Sequence, residues 1–259
     1  MDLNKEKILK YLNKIEKEQN IKIIYACEVG SRIWQYSTPT SDFDIRIIFC
    51  REKKDYLRLD PLETSINIID EEANIDITGF DIRRFIEMIY KENLTTCEWL
   101  MSPIIYVNLV GNEFTKILTT VTSFKKFFFT NLNGIVKTNL NKSIRKKDKV
   151  SIKAYLHTVK ALFINIYFLK NPDEIIYPVV LFELIENIKD ELPAEIIEIT
   201  MDLIERRKHG EETIDKNDEL TKWIEQEVCE QGKTSKKLGI KKEDKSYDSF
   251  NILIDKIIV

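Results

Sequence analysis

The chain has 259 residues, of which 43% are hydrophobic, enough to bury the core of one large domain or of two closely packed domains. Its 40 Lys and Arg residues nearly balance its 43 Asp and Glu residues, which argues against a disordered polyelectrolyte and a uniformly basic nucleic-acid coat protein. Four cysteines without short paired spacing and only two histidines argue against a structural zinc site or a disulfide framework. The chain begins without an uninterrupted apolar segment, so we expect a soluble cytoplasmic protein that is not held in a membrane.

The first part of the chain alternates between helical and strand periodicities. Helices are predicted at 3–16, 82–92 and 96–101, and strands at 21–27, 42–49, 65–69, 74–78 and 104–109. The polar turn 70–73 between two of these strands predicts a hairpin, and Asp81 is placed to cap the helix that begins at Ile82. This region is therefore expected to contain a sheet with helices against it.

The rest of the chain has a helical period. Helices are predicted at 113–123, 124–142, 150–169, 178–188, 193–208 and 219–229. The lysine-rich segment 231–248 is predicted to be a solvated loop before an apolar closing segment at 250–259. The sequence thus predicts an α+β protein with a mixed-sheet domain over 1–111 and a helical domain over 112–259.

Three acids and one glycine form the chemically informative pattern. Gly30-Ser31 directly follows a buried strand in a chain with seven glycines, which indicates a sharp turn or a close backbone approach. Asp42 and Asp44 share one face of a strand, and two such charges favour a bound Mg²⁺ or Mn²⁺. Asp76 interrupts an apolar strand, where an acid is out of pattern unless it faces the same site. Three acids on two strands suit two metal ions, and solvated strand edges are the alternative.

These residues resemble the signature of the DNA polymerase β-like nucleotidyltransferase superfamily, in which Gly-Ser precedes an Asp-x-Asp pair and a later strand acid. The wider pattern resembles the YcgL/RlaP-type predicted nucleotidyltransferases linked to RNA repair. The matching blocks are Gly30-Ser31-Arg32-x-Trp34, Ser41-Asp42-x-Asp44-Ile45-Arg46, Tyr56-Leu57-x-Leu59, 75–84, 98–104 and 153–156. One departure is Gln35, where the family usually has glycine, so a differently shaped loop is expected before Asp42.

The resemblance implies a polymerase β-like catalytic domain and a role for each acid. The amides of Gly30 and Ser31, with the Ser31 hydroxyl, would hold the terminal phosphates of an NTP, expected to be ATP, at a helix N-terminus. Asp42 and Asp44 would bind two Mg²⁺ ions that bridge the triphosphate. Asp76 would share the ion nearest the acceptor and help deprotonate its hydroxyl. The implied reaction moves NMP to an RNA 3′ end, tRNA included, and releases pyrophosphate.

Other assignments stay open at this stage. Arg32 and Arg46 could contact phosphate or pair with neighbouring carboxylates. Lys153 could reach the triphosphate or lie on a solvated helix face, and the basic cluster 145–149 could bind a polynucleotide backbone or simply be solvated. AMP transfer to a protein or a small molecule is an alternative outcome of the same site. A non-catalytic nucleotide- or RNA-binding module is the alternative if Gln35 or the placement of Asp76 disables the site.

Overall fold

The strands of the first half form one mixed sheet. The computed structural model describes residues 3–38, 40–91, 93–119, 124–174, 176–237 and 246–258. The strands are β1 (Lys22–Glu28), β2 (Phe43–Cys50), β3 (Ser65–Asp70), β4 (Ile75–Asp81) and β5 (Ile105–Asn108). They are ordered β3-β4-β2-β1-β5, with β2 and β4 parallel and the other neighbours antiparallel. The predicted α+β class and the predicted hairpin, now β3 and β4, are confirmed.

The predicted helices are all present, with shifts at several ends, and two further helices, at 53–56 and 248–257, were not predicted. They are α1 (Leu3–Gln19), α2 (Lys53–Tyr56), α3 (Ile82–Tyr90), α4 (Leu94–Leu100), α5 (Glu113–Thr119), α6 (Phe124–Asn139), α7 (Ile152–Lys170), α8 (Leu181–Ile188), α9 (Ala194–Lys208), α10 (Asp218–Lys237) and α11 (Asp248–Ile257). The side chain of Asp81 accepts a hydrogen bond from the backbone N–H of Arg83 at 2.9 Å, which confirms the predicted cap of α3.

The sheet separates two layers of apolar side chains. On one face, Ile8, Leu12 and Ile15 of α1 pack with Ile45 and Ile47 of β2. On the other, four aromatic rings of β4, α3, α4 and α5 contact one another: Phe80, Phe85, Trp99 and Phe114. Burying each such side chain contributes roughly 1.5–3 kcal/mol, so both layers fix the position of the sheet. The apolar strand residues that the sequence predicts to be buried therefore form part of the core.

Helix α7 is the central element of the helical half. Its 19 residues include buried side chains all round the helix, and it packs against α6, α8, α9 and α10. Two buried amide side chains link α7 to α10: Asn165 Nδ2 donates to Gln231 Oε1 at 2.7 Å, and Gln231 Nε2 donates to the carbonyl of Leu162 at 3.2 Å. Among the described residues, no helix is both long and apolar enough to cross a lipid bilayer.

Three features of the second half differ from the sequence prediction. A short antiparallel pair, β6 (Lys149–Ser151) with β7 (Thr213–Asp215), interrupts what the periodicity predicted to be all helix. Helix α10 continues through Lys237, so the first part of the predicted loop 231–248 is helical, while 238–245 lie outside the described residues. The closing segment forms α11, whose Phe250 and Leu253 are buried.

The compact units are also composed differently from the predicted domains 1–111 and 112–259. One unit comprises Met1–Ile33, Asp42–Val121 and Glu243–Val259, and the other comprises Trp34–Ser41 and Thr122–Lys242. Within the first unit, α11 packs against α3 and α5. Within the second, the Trp34 ring lies 4.7 Å from the His157 ring and 3.7 Å from Lys160 Nζ, both on α7. These contacts join segments that are far apart in sequence.

Candidate metal centre

Strands β2 and β4 bring the three predicted acids together. Parallel pairing sets Asp44 directly beside Asp76, while Asp42 immediately precedes β2 rather than lying within it. Each of the three offers a carboxylate oxygen, and these oxygens lie within 4.8 Å of one another. Asp42 is exposed and the other two are partly buried. The cluster therefore reaches solvent on one side and is fixed by the sheet on the other.

The Arg46 guanidinium bridges two of the acids. Its Nη2 lies 3.4 Å from Asp44 Oδ1, and its Nη1 lies 3.3 Å from Asp76 Oδ1. Of the two sequence alternatives for Arg46, carboxylate pairing is the one observed, because residues 44 and 46 share one face of β2. Three carboxylates and one guanidinium leave an excess of two negative charges. Three carboxylates offer only oxygen donors, and their negative charge exceeds that of the one guanidinium paired with them. Such a set fits a hard divalent ion such as Mg²⁺ or Mn²⁺.

The turn after β1 lies against the acid cluster. Gly30 has φ +75°, and a Cβ atom there would collide with the Asp44 carboxylate, lying 3.0 Å from its Cγ. The backbone N–H of Val29 donates to the carbonyl of Asp44 at 2.8 Å, which fixes the start of this turn to β2. Glycine is therefore required at position 30 for two reasons, the backbone conformation and the close approach of Asp44.

The segment after Gly30 corrects one detail that the family resemblance implied. Residues 30–35 form successive turns and not the start of a helix, so Gly30 and Ser31 do not lie at a helix N-terminus. The left-handed φ values of Gly30 and of Gln35, +61°, are incompatible with a continuous right-handed helix. Gln35 thus adopts a backbone conformation that glycine, the usual family residue here, adopts without strain.

A buried acid that the sequence prediction missed holds Arg32 in place. Glu28 Oε1 lies 3.1 Å from Arg32 Nε, and Tyr106 donates a hydrogen bond to the other carboxylate oxygen of Glu28. Burial raises the pKa of Glu28, and the bond from Tyr106 and the charge of Arg32 oppose that shift. Arg32 Nε also donates to the Asp42 carbonyl at 3.2 Å, and the guanidinium lies 3.9 Å from the Phe43 ring centroid. Arg32 therefore connects the turn to the strand that carries the acids.

A sequence signal for Glu28 does exist. Glu28 ends an apolar strand pattern four residues before Arg32, the same out-of-pattern placement that drew attention to Asp76. What the sequence does not show is that Tyr106, 78 residues further along the chain, completes the contact. Both arginines near the acids are thus paired with carboxylates here, and their phosphate contacts stay predictions.

The remaining predicted residues lie in the second unit. Lys153 is exposed in the first turn of α7, and its contact with a nucleotide stays a prediction. In the basic cluster, Lys146 and Lys147 are exposed, whereas Arg145 is engaged: its Nε lies 2.8 Å from Glu225 Oε1, and its Nη1 donates to Asn141 Oδ1 at 2.9 Å. Lys146 and Lys147, like Lys149 of the same cluster, are therefore accessible to an anion.

A mixed sheet with three clustered carboxylates beside a Gly-Ser turn is the arrangement expected of a polymerase β-like nucleotidyltransferase. The sequence model of the RlaP family, described as "RNA repair pathway DNA polymerase beta family", matches residues 4–255, so the chain belongs to that family. The suspected family resemblance is thereby confirmed.

Individual relatives add less information. The chain is 26% identical to the "Uncharacterized protein YcgL" of Bacillus subtilis (strain 168) over 98% of this chain and 96% of the relative. A crystal structure of a nucleotidyltransferase-like protein from Exiguobacterium sibiricum 255-15 matches with 15% identity, covering 86% of this chain and 76% of the other, at a TM-score of 0.29. That score is too low to support any inference about this chain.

Proposed function

We propose that this protein is a divalent-metal-dependent nucleotidyltransferase that moves NMP from an NTP, with ATP as the expected donor, to the 3′ hydroxyl of an RNA and releases pyrophosphate. The observation that carries the proposal is the set of three carboxylates within 4.8 Å, assembled beside a Gly-Ser turn in a member of an RNA repair polymerase β family. Without the carboxylate cluster, family membership alone would be equally compatible with a non-catalytic binding module.

Each residue of the site has a task that its position supports. Asp42 and Asp44 hold the divalent ions, which when bound neutralise triphosphate charge and acidify the acceptor hydroxyl. Asp76, on the neighbouring strand, helps to deprotonate that hydroxyl. The absence of a side chain at Gly30 lets the backbone approach the carboxylates closely, and the Ser31 amide and hydroxyl bind the terminal phosphates.

The positively charged residues have different tasks. Arg32, fixed by Glu28 and Phe43, holds the turn at a constant distance from the acids and so preserves the phosphate geometry. Lys153 neutralises triphosphate charge, and Lys146 and Lys147 contact the RNA backbone. The family description supports RNA as the acceptor, and the exposure of these lysines supports an electrostatic contact with it.

The decisive experiment incubates the pure protein with each labelled NTP, Mg²⁺ or Mn²⁺, and a mixed RNA pool that includes tRNA. We expect label at RNA 3′ ends, with stoichiometric pyrophosphate. Asp42→Asn and Asp44→Asn should each abolish transfer. The urea midpoint of unfolding should stay unchanged or rise in Asp42→Asn, because like-charge repulsion is relieved, whereas Asp44→Asn also loses the ion pair with Arg46. Asp76→Asn should suppress transfer and spare NTP affinity. Normal turnover in Asp42→Asn or Asp44→Asn would contradict the metal assignment.

The acceptor is tested by salt dependence. Lys146→Gln/Lys147→Gln should weaken RNA binding and reduce its log–log salt slope by about one unit or less per lost phosphate contact, without changing NTP affinity. Lys170→Gln/Lys189→Gln, on the same unit but at the opposite end of α7 from the basic cluster, is the charge-matched control. Pyrophosphate release with label on the protein itself or on a small molecule, and no salt slope for RNA, would instead support the AMP-transfer alternative.

A further inference from the structure

A cavity lies within the first unit, at the end of the sheet away from the three clustered acids. It has a volume of about 610 Å³ and is lined by residues of the α2–β3 connection, α3 and α11. Asp81 lines it at the end of β4, whereas Asp76 of the acid cluster lies near the start of that strand. Five residues of strand rise separate them, which is roughly 16 Å. The cavity is therefore distinct from the candidate metal centre.

Three arginines and three acids line this cavity, the acids being Asp60, Asp81 and Glu87. Arg58, Arg83 and Arg84 all line it. Arg84 is held in place, because its Nη1 donates to Thr64 Oγ1 at 3.2 Å and its guanidinium lies 4.9 Å from the Phe80 ring centroid. A fixed guanidinium that uses one of its five donors on the protein retains donors for a phosphate group.

The acids that line the cavity are engaged with other groups. Asp60 pairs with Arg58 at 2.8 Å, and Glu87 pairs with Lys91 at 2.5 Å. The buried Asp81 carboxylate accepts hydrogen bonds from the Tyr56 hydroxyl at 2.7 Å and from the α3 backbone. Asp60 is paired with Arg58 and Glu87 with Lys91, so the charges that remain are those of the exposed Arg83 and Arg84 and of the buried Asp81. The two arginines outweigh this one carboxylate, and the lining therefore favours an anionic ligand.

Aromatic rings form another part of the lining. Tyr90 of α3 and Tyr247 before α11 stack with ring centroids 4.1 Å apart and an interplanar angle of 19°. Tyr247 stays 53% exposed although it is part of this stack. An exposed tyrosine ring and two arginines in the lining of one cavity offer a stacking surface for a planar base and donors for its phosphate.

We propose that this cavity binds a nucleotide unit, with its phosphate at Arg83 and Arg84 and its base on Tyr247. The same chemistry is offered by a free nucleotide and by one residue of a single-stranded RNA. A volume of about 610 Å³ lies within the range of small-molecule sites and accommodates one nucleotide. The inference does not depend on the proposed transfer reaction, because none of the three clustered carboxylates takes part in this binding.

The test measures binding of fluorescein-labelled AMP and of a labelled single-stranded octaribonucleotide by anisotropy, at several salt concentrations. EDTA is present, so metal-dependent nucleotide binding at the acid cluster does not contribute. Arg83→Gln/Arg84→Gln should weaken binding about tenfold or more at low salt and reduce the slope for the oligonucleotide by roughly 0.7 per lost contact. Lys10→Gln/Lys17→Gln, on exposed positions of α1, makes the same charge change on the other side of the sheet and should bind as wild type.

A second pair of variants tests stacking. Tyr247→Ala should weaken nucleotide binding about 5- to 100-fold, and Tyr247→Phe should retain it, because the ring rather than the hydroxyl carries the contact. Weakening of AMP identifies a free nucleotide as the ligand, and weakening of the oligonucleotide alone identifies an RNA strand. The proposal is overturned if neither probe binds wild type, or if the arginine and lysine variants bind equally well.

Discussion

Replacing Gly30 by alanine should both strain the backbone and disturb the acid cluster, and comparison with a second glycine separates these two effects. An alanine at φ +75° costs about 1–2 kcal/mol of folding free energy, because the left-handed region is unfavourable for residues with a Cβ atom. In addition, the new Cβ collides with the Asp44 carboxylate, which must rotate away from its present rotamer at a cost of about 0.5–1.5 kcal/mol. The second cost is the one that bears on function.

Gly111 provides a matched control for this substitution. It also has a left-handed backbone, φ +57°, but no atom lies within 4 Å of where its Cβ would be. Gly111→Ala therefore carries the backbone strain without the collision. We expect Gly30→Ala to be less stable than Gly111→Ala by about 0.5–1.5 kcal/mol, the cost of moving Asp44, because the unfolded-state effect of the change is common to both.

Urea unfolding measures the stability difference, and titration calorimetry with Mn²⁺ measures its consequence for the site. Displacing one carboxylate of the cluster should weaken Mn²⁺ binding about tenfold or more in Gly30→Ala, equivalent to about 1.4 kcal/mol, and leave Gly111→Ala at the wild-type value. Equal stability losses in the two variants, together with wild-type Mn²⁺ affinity in Gly30→Ala, would refute the reasoning that places Asp44 and this turn in one rigid site.

Substitutions at three further positions test the surrounding contacts. Glu28→Ala should cost about 1–3 kcal/mol in urea unfolding, because it removes the partners of Arg32 and Tyr106, and Glu28→Gln should restore most of that loss; equal losses would argue against the contact. Burial raises the pKa of Asp81 above its usual 3.8, so ionisation of this carboxyl destabilises the folded state. This destabilisation is absent below pH 3.8 and is fully present above the raised pKa. Asp81→Asn should thus gain stability relative to wild type as pH rises from 4 to 7, and a pH-independent difference would contradict this. Gln35→Gly should change stability by less than about 1 kcal/mol and retain transfer, since relief of the left-handed strain offsets the added flexibility of the unfolded chain; loss of transfer would show that the Gln35 side chain acts in the site.

Local patterns were sufficient to predict most elements of the sheet. Strand alternation marked β1 to β5, and the acid inside β4 was visible because Asp76 breaks an apolar run. The pairing of β2 with β4 was not predictable in the same way. After β2 the chain forms α2 and β3 and then returns as β4, parallel to β2. The periodicity of a segment does not indicate which strand that segment will pair with. The direct register of Asp44 with Asp76 is therefore a result of topology.

The second half shows a different kind of limit. Val150 and Ile214 pair between β6 and β7, strands of only three residues each, too short for alternation to distinguish them from the ends of helices. The placement of α11 depends on where Phe250 finds an apolar neighbour, which is Tyr90 of α3 at a centroid distance of 5.5 Å. Such contacts depend on the tertiary structure and have no signal in the local sequence.

Arg46 shows why residue type and strand face leave a role undecided. Its position two residues after Asp44 guarantees that both side chains lie on one face of β2, and this holds equally for an arginine that pairs with acids and one that binds phosphate. The observed bridge to Asp44 and Asp76 offsets the repulsion among three carboxylates, which supports folding of the cluster before a metal binds. A divalent ion binding to the same oxygens competes with this guanidinium. We therefore expect the two roles to follow one another in time: the pairing stabilises the metal-free site, and metal binding would free the guanidinium for the predicted contact with a triphosphate.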